Sequence, residues 1–152
     1  MRLRIGLAAG AAVAAVLLAA LPATAAQSVV NFHADSGDQC VRGVTEGTLE
    51  WVDGPVVRPT VKVDGYLADE ASISPCSLDR MYSTATFSAY KGSTLVDSQT
   101  AKADNEKVPI SFALADPVAF TSVDRVVVQV CRFSSTPIGI SYCGKAAEYK
   151  AP

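Results

Sequence analysis

The chain carries one histidine, His33, and four cysteines, Cys40, Cys76, Cys131 and Cys143, so the chemistry open to it is narrow. Nucleophilic hydrolysis needs a base held against the nucleophile. His33 is the only imidazole, and its setting, Ala34-Asp35-Ser36-Gly37-Asp38, reads as a solvated loop. No G-x-S-x-G places a serine on a sharp turn. Zinc calls for ligands at close, regular spacing, and four scattered cysteines with no C-x-x-C do not supply it. Asp35, Asp38, Asp69 and Glu70 offer oxygens to calcium, but the D-x-[DN]-x-[DN]-G pattern with its distal glutamate is missing. A carboxylate pair for sugar hydrolysis has no aromatic cluster beside it to hold a sugar ring. The expectation is a protein that is not an enzyme, with no metal and no cofactor.

The cysteines do suit an oxidising compartment, and the N-terminus points to the same place. Arg2 and Arg4 form a basic head, residues 5–21 are apolar or small without a charge, and Pro22-Ala23-Thr24-Ala25-Ala26 offers small residues to a signal peptidase. That is the layout of a secretory leader, with cleavage expected after Ala26. Residues 1–26 are therefore read as a signal peptide, residues 27–39 as an N-terminal arm or edge strand, and residues 40–152 as one domain. Loss of Arg2 and Arg4 takes the formal net charge from −2 to about −4. A mildly acidic surface does not suit nucleic acid, and the mature chain is expected outside the cell, free of membrane. Four cysteines allow three pairings. Chain order favours Cys131–Cys143 with Cys40–Cys76, and the crossed pairings would tie the first half of the domain to the second.

The elements that must position these residues read as strands. In residues 124–143, Val126, Val128 and Val130 alternate with Val127, Gln129 and Cys131, and a second run through Ile140 and Tyr142 follows a Ser/Thr/Pro/Gly break. Two arms, each with a cysteine, read as a stapled hairpin. Leu49 and Trp51 share a face against Glu46, Thr48 and Glu50; Val61 and Val63 alternate with Lys62; Ala85, Phe87 and Ala89 alternate with Thr86 and Ser88. Lys91-Gly92-Ser93 and Asp104-Asn105-Glu106-Lys107 read as turns, and Pro109 places the run Val108, Ile110, Phe112, Leu114 near a sheet edge. A helical turn is conceivable only in residues 113–120. Seven or eight strands with dense turn signals predict an all-β, antiparallel two-layer β-sandwich of immunoglobulin or fibronectin-III type, stabilised by disulfides.

Without a catalytic set, function falls to surfaces. Val29, Val30 and Phe32 form an apolar arm that a partner could take up as an added strand. Phe133, Ser135 and Pro137 lie in the 133–139 loop, which a Cys131–Cys143 staple would hold rigid, lowering the entropy lost on binding. Trp51, by its pairing with Leu49, reads as core. This arrangement of leader, arm and small stapled sandwich resembles the adaptor subunits of streptomycete umbrella toxin particles, secreted antibacterial complexes in which an adaptor joins a lectin to a stalk protein. The resemblance implies an arm lodged in one partner and a sandwich displaying another. The expected function is a secreted, non-catalytic protein-binding or adaptor module, a structural subunit of an extracellular antibacterial assembly. The alternative is a secreted inhibitor of an extracellular protease, with Arg132-Phe133-Ser134-Ser135-Thr136-Pro137 as its reactive loop.

Overall fold

The computed structural model describes residues 26–38, 43–54, 57–69 and 80–152. Residues 1–25, which hold most of the expected leader, and Cys40, Glu70 and Cys76 lie outside the described residues.

Nine strands follow in chain order among the described residues: β1 (Ala26–Asp35), β2 (Gly43–Gly54), β3 (Val57–Asp69), β4 (Met81–Lys91), β5 (Thr94–Ala103), β6 (Lys107–Leu114), β7 (Arg125–Ser134), β8 (Tyr142–Cys143) and β9 (Ala147–Lys150). They form two antiparallel sheets, one ordered β1-β2-β3-β6 and the other β5-β4-β7-β8, with β9 also paired to β7. The molecule is thus an all-β, two-sheet sandwich. In the seven-stranded immunoglobulin arrangement the second strand lies between the first and fifth; here β2 lies between β1 and β3. The strand beyond the expected count is β9, too short for its alternation to be read from sequence. Residues 113–120 hold no helix: β6 runs to Leu114 and bends follow.

The core is built by the alternation. Leu49, Val61, Val63, Leu67, Phe87, Leu114, Val126, Val128 and Val130 are buried completely, and Trp51 nearly so. Phe87 sits at the centre. Its ring meets Phe32 of β1 edge-on at 5.3 Å and Phe112 of β6 edge-on at 5.4 Å. One residue of the second sheet therefore holds both outer strands of the first, each contact adding about 0.5–1.5 kcal/mol beyond area burial. As its proline suggested, β6 lies at a sheet edge. Asn105 turns the chain from β5 to β6 with φ 54°, a backbone that asparagine tolerates better than most residues.

The antiparallel order sorts the connections onto two poles. The ends of β1, β3, β5 and β7 share the upper pole; the β4–β5 turn, residues 115–124 and the end of β9 share the lower one. A strand such as β7, of 10 residues, separates the poles by roughly 30 Å.

Candidate functional site

At the upper pole the alternation of β7 continues past the valines and puts Arg132 on the inner face, 2 % exposed. A buried guanidinium must be paired. Its Nη1 donates to Asp38 Oδ2 at 2.7 Å and its Nε donates to Asp69 Oδ1 at 3.3 Å. Asp69 also accepts from Ser83 Oγ at 2.7 Å and from the Asn105 N–H at 3.1 Å. The Ser36 hydroxyl donates to Asp38 and accepts from the Gly43 N–H. One cation thus binds the β1–β2 connection, the end of β3 and the β5–β6 turn together. One expectation is corrected here. Arg132 is no part of a reactive loop, because two carboxylates hold it inside. Asp38, considered for calcium, is turned onto that arginine, while Asp35 Oδ1 accepts from the Gly37 N–H at 2.8 Å.

Above this network sits the stapled loop. Cys131 and Cys143 are cross-strand neighbours and are disulfide-bonded. The second arm is shorter than expected: β8 has only Tyr142 and Cys143, and Ile140 lies before it. The loop is held at its base, where the Ser135 N–H and Oγ both donate to the Arg80 carbonyl, at 2.6 and 2.7 Å. It is folded at its tip, where the Gly139 N–H donates to the Thr136 carbonyl and the Thr136 N–H donates to Ser134 Oγ. A Cβ on Gly139 would lie 1.8 Å from Ser134 Oγ, so the fold of the tip requires glycine. Beside the exposed Ser135 and Ser141, the loop shows large apolar side chains to solvent: Ile138 is 96 % exposed, Ile140 69 % and, on β8, Tyr142 42 %.

The lower pole carries a second apolar set. Asp116 Oδ1 accepts from the N–H groups of Val118 and Ala119, both at 2.9 Å. Those two bonds, Ala119 first, hold the Asp116 carboxyl below its ordinary 3.8, with smaller help from the Thr121 hydroxyl. The turn so capped leaves Val118 91 % and Phe120 76 % exposed, with the Arg58 guanidinium 5.3 Å from the Phe120 ring centre. A cleft of about 400 Å3, lined among others by Ser28, Trp51, Thr60, Lys91, Val123 and Asp124, opens at the same pole. Lys91 Nζ donates to Ser122 Oγ across 3.0 Å. The Trp51 Nε1–H is buried with no hydrogen-bond partner among the described residues.

His33 is on β1 rather than in a loop. Its Nδ1 is 2.9 Å from Glu46 Oε1, and Nε2 is 3.7 Å from Asp35 Oδ2. Glu46 also accepts from the Tyr66 hydroxyl. The Tyr66 bond first, and His33 second, hold the Glu46 carboxyl below 4.5. Both ring nitrogens thus face carboxylates. Among the described residues no group of three or more His, Cys, Asp or Glu side chains could hold a metal ion, and no helix is long and apolar enough to cross a membrane.

The residues expected to meet a partner fare unequally. Phe32 is 2 % exposed and belongs to the core, so its ring is not available to a partner. Val30 is half-buried against the same core. Val29, facing the other way, is 62 % exposed. Phe133 is half-buried and packs on Tyr82 with ring centres 5.8 Å apart. The Ser135 hydroxyl serves the loop base, and Pro137 is exposed at the tip. Sequence reasoning did not single out Val118 or Phe120, named the loop that holds Ile138 without that residue, and read Ile140 as part of the second strand. The signal available was composition: large apolar residues set among Pro, Gly, Ser and Asp, in runs too short and broken for a core strand. No protein-family model matches this chain, and comparison with curated proteins and with solved structures found no significant match.

Proposed function

We propose that this protein is a non-catalytic binding module that works outside the cell, exported by its leader, and that it acts as an adaptor between two other secreted proteins. The observation that carries this reading is the display of large apolar side chains at both poles of a rigid sandwich: Ile138, Ile140 and Tyr142 above, Val118 and Phe120 below. Apolar surface held in water on a braced support is what an interface core needs, since little ordering entropy remains to be lost on binding. Poles roughly 30 Å apart leave room for two partners at once. The resemblance to umbrella toxin adaptors supplies the kind of assembly, a secreted antibacterial particle.

A protease inhibitor acting through residues 133–139 fits less well. Arg132 faces inward, and the Thr136–Gly139 bond closes the tip into a turn, whereas a protease cleft takes an extended segment. The test is recovery of partners from native culture medium on tagged protein. Ile138→Ser with Ile140→Ser should lose one partner and Val118→Ser with Phe120→Ser the other, each with Tm within a degree or two of the parent, as surface changes rarely exceed about 0.5 kcal/mol. Partner recovery unchanged in both double variants would overturn the proposal.

A further inference from the structure

A sandwich has sheet edges, and exposed edges are templates for pairing unless they are blunted. The edges here are treated differently. Strand β6 carries Pro109 and Lys107. Strand β5 carries Asp97, Lys102 and a register shift opposite Ala89/Tyr90 that leaves Val96 unpaired. Strands β8 and β9 are short, and β9 bears Glu148 and Lys150.

The upper half of β1 is sealed from the second sheet. The His33 N–H donates to Tyr149 Oη at 2.9 Å, and that hydroxyl donates to the His33 carbonyl at 2.7 Å. Two residues on, Gly144 lies against the Asp35 carbonyl so tightly that a Cβ would come within 1.7 Å of it. These contacts also fix the phase of the strand. His33 and Asp35 turn backbone groups away from β2, whereas the Ser36 N–H bonds the Gly43 carbonyl on the β2 side. Since successive residues alternate in direction, Gln27, Val29 and Asn31 also point outward. Residues 26–32 carry no charged side chain, no proline and no glycine, and β1 holds strict register with β2 throughout, without a bulge.

We propose that a second copy of this chain pairs with that open half, antiparallel through residues 27–31, joining two four-stranded sheets into one. The outward positions are symmetric about Val29, so Val29 meets Val29 of the other copy and Gln27 meets Asn31, each pair exchanging both of its hydrogen bonds. A two-fold interface must be self-complementary. A strand with charged side chains would set like charges across the axis or near it; no side chain of residues 27–31 is charged, and the α-ammonium that cleavage leaves at Gln27 falls at the end of the paired segment, opposite the uncharged Asn31. The exposed Val29 side chains then stack across the axis on the outer face of the joined sheet.

The experiment is sedimentation equilibrium of the protein expressed from its full sequence and purified, over a wide concentration range. The parent should rise from monomer to dimer mass with concentration. Val29→Lys, which sets two ammonium groups face to face, should remain monomeric, and mixing it with Val29→Glu should restore the dimer. Asn31→Pro removes an outward N–H that the β1–β2 ladder does not use, and should weaken association at least tenfold with the circular dichroism of the fold retained. A parent that is monomeric at every concentration overturns the proposal. So does a dimer that survives Val29→Lys undiminished. The dimer is independent of partner recovery, so either proposal can fail while the other stands.

Discussion

Replacing Arg132 by methionine tests the central account of the upper pole. The substitution keeps the length and apolar stem of the side chain and removes the cation, leaving Asp38 and Asp69 without it. Both carboxylates are more than nine-tenths buried. Breaking a buried pair by deleting one partner costs about 3–5 kcal/mol, because the remaining charge is left desolvated. Ser83, Asn105 and Ser36 still donate to the two acids, which keeps the figure within that range rather than above it. For a domain of this size the loss amounts to roughly 10–20 °C in Tm. The assay is urea and thermal unfolding followed by circular dichroism at neutral pH. A variant within about 1 kcal/mol of the parent, the size expected of an exposed pair, would refute the reasoning.

Other perturbations reach different parts of the fold. Phe87→Ala removes the ring that touches both Phe32 and Phe112 and should cost about 3–5 kcal/mol in denaturant unfolding; a loss under 1 kcal/mol would mean the two sheets do not depend on it. Cys131→Ser with Cys143→Ser opens the staple and should lower stability by about 2–4 kcal/mol, with faster proteolysis within residues 135–141 as the local readout. Glu46 gives a pH prediction with a definite sign. Its carboxyl is held below 4.5, first by the Tyr66 hydroxyl, so this contribution to stability is present above 4.5 and is lost as pH falls through the folded value. Tyr66→Phe should raise the Glu46 midpoint in an NMR titration, and an unmoved midpoint would rule out that hydrogen bond as the cause.

How far the sequence could be read follows from the range of the interactions. The period-2 runs of β4 and β7 are local, and Ala85, Phe87, Ala89 and the three valines stand where their alternation put them. The proline of β6 marked an edge strand for a reason contained in one residue, its missing N–H. Arg132 shows where local reading stops. Continuing the valine alternation by two residues places it inside, but a buried arginine is credible only once its acids are known, and Asp38 and Asp69 lie 94 and 63 residues away. Phe32 was misassigned for the same reason: its place in the core depends on Phe87 in the opposite sheet. The sealing of His33 by Tyr149 spans 116 residues, and no pattern in either segment announces it.

The two proposals constrain each other through geometry. Strand β1 runs from the lower pole to the upper, so a copy paired antiparallel along it is inverted. Each end of such a dimer then carries the stapled Ile138 loop of one copy beside the Val118–Phe120 turn of the other. A monomeric adaptor joins unlike partners at its two ends; a dimer built through β1 offers both kinds of contact at both ends and is indifferent to which way it is inserted. The same pairing would orient four apolar sets rigidly rather than through a linker, so partners engaged at one end would meet at a fixed separation. Partner stoichiometry therefore distinguishes the arrangements. One copy of each partner per chain is compatible with either, but two of each on a single particle that falls apart on Val29→Lys requires the joined sheet.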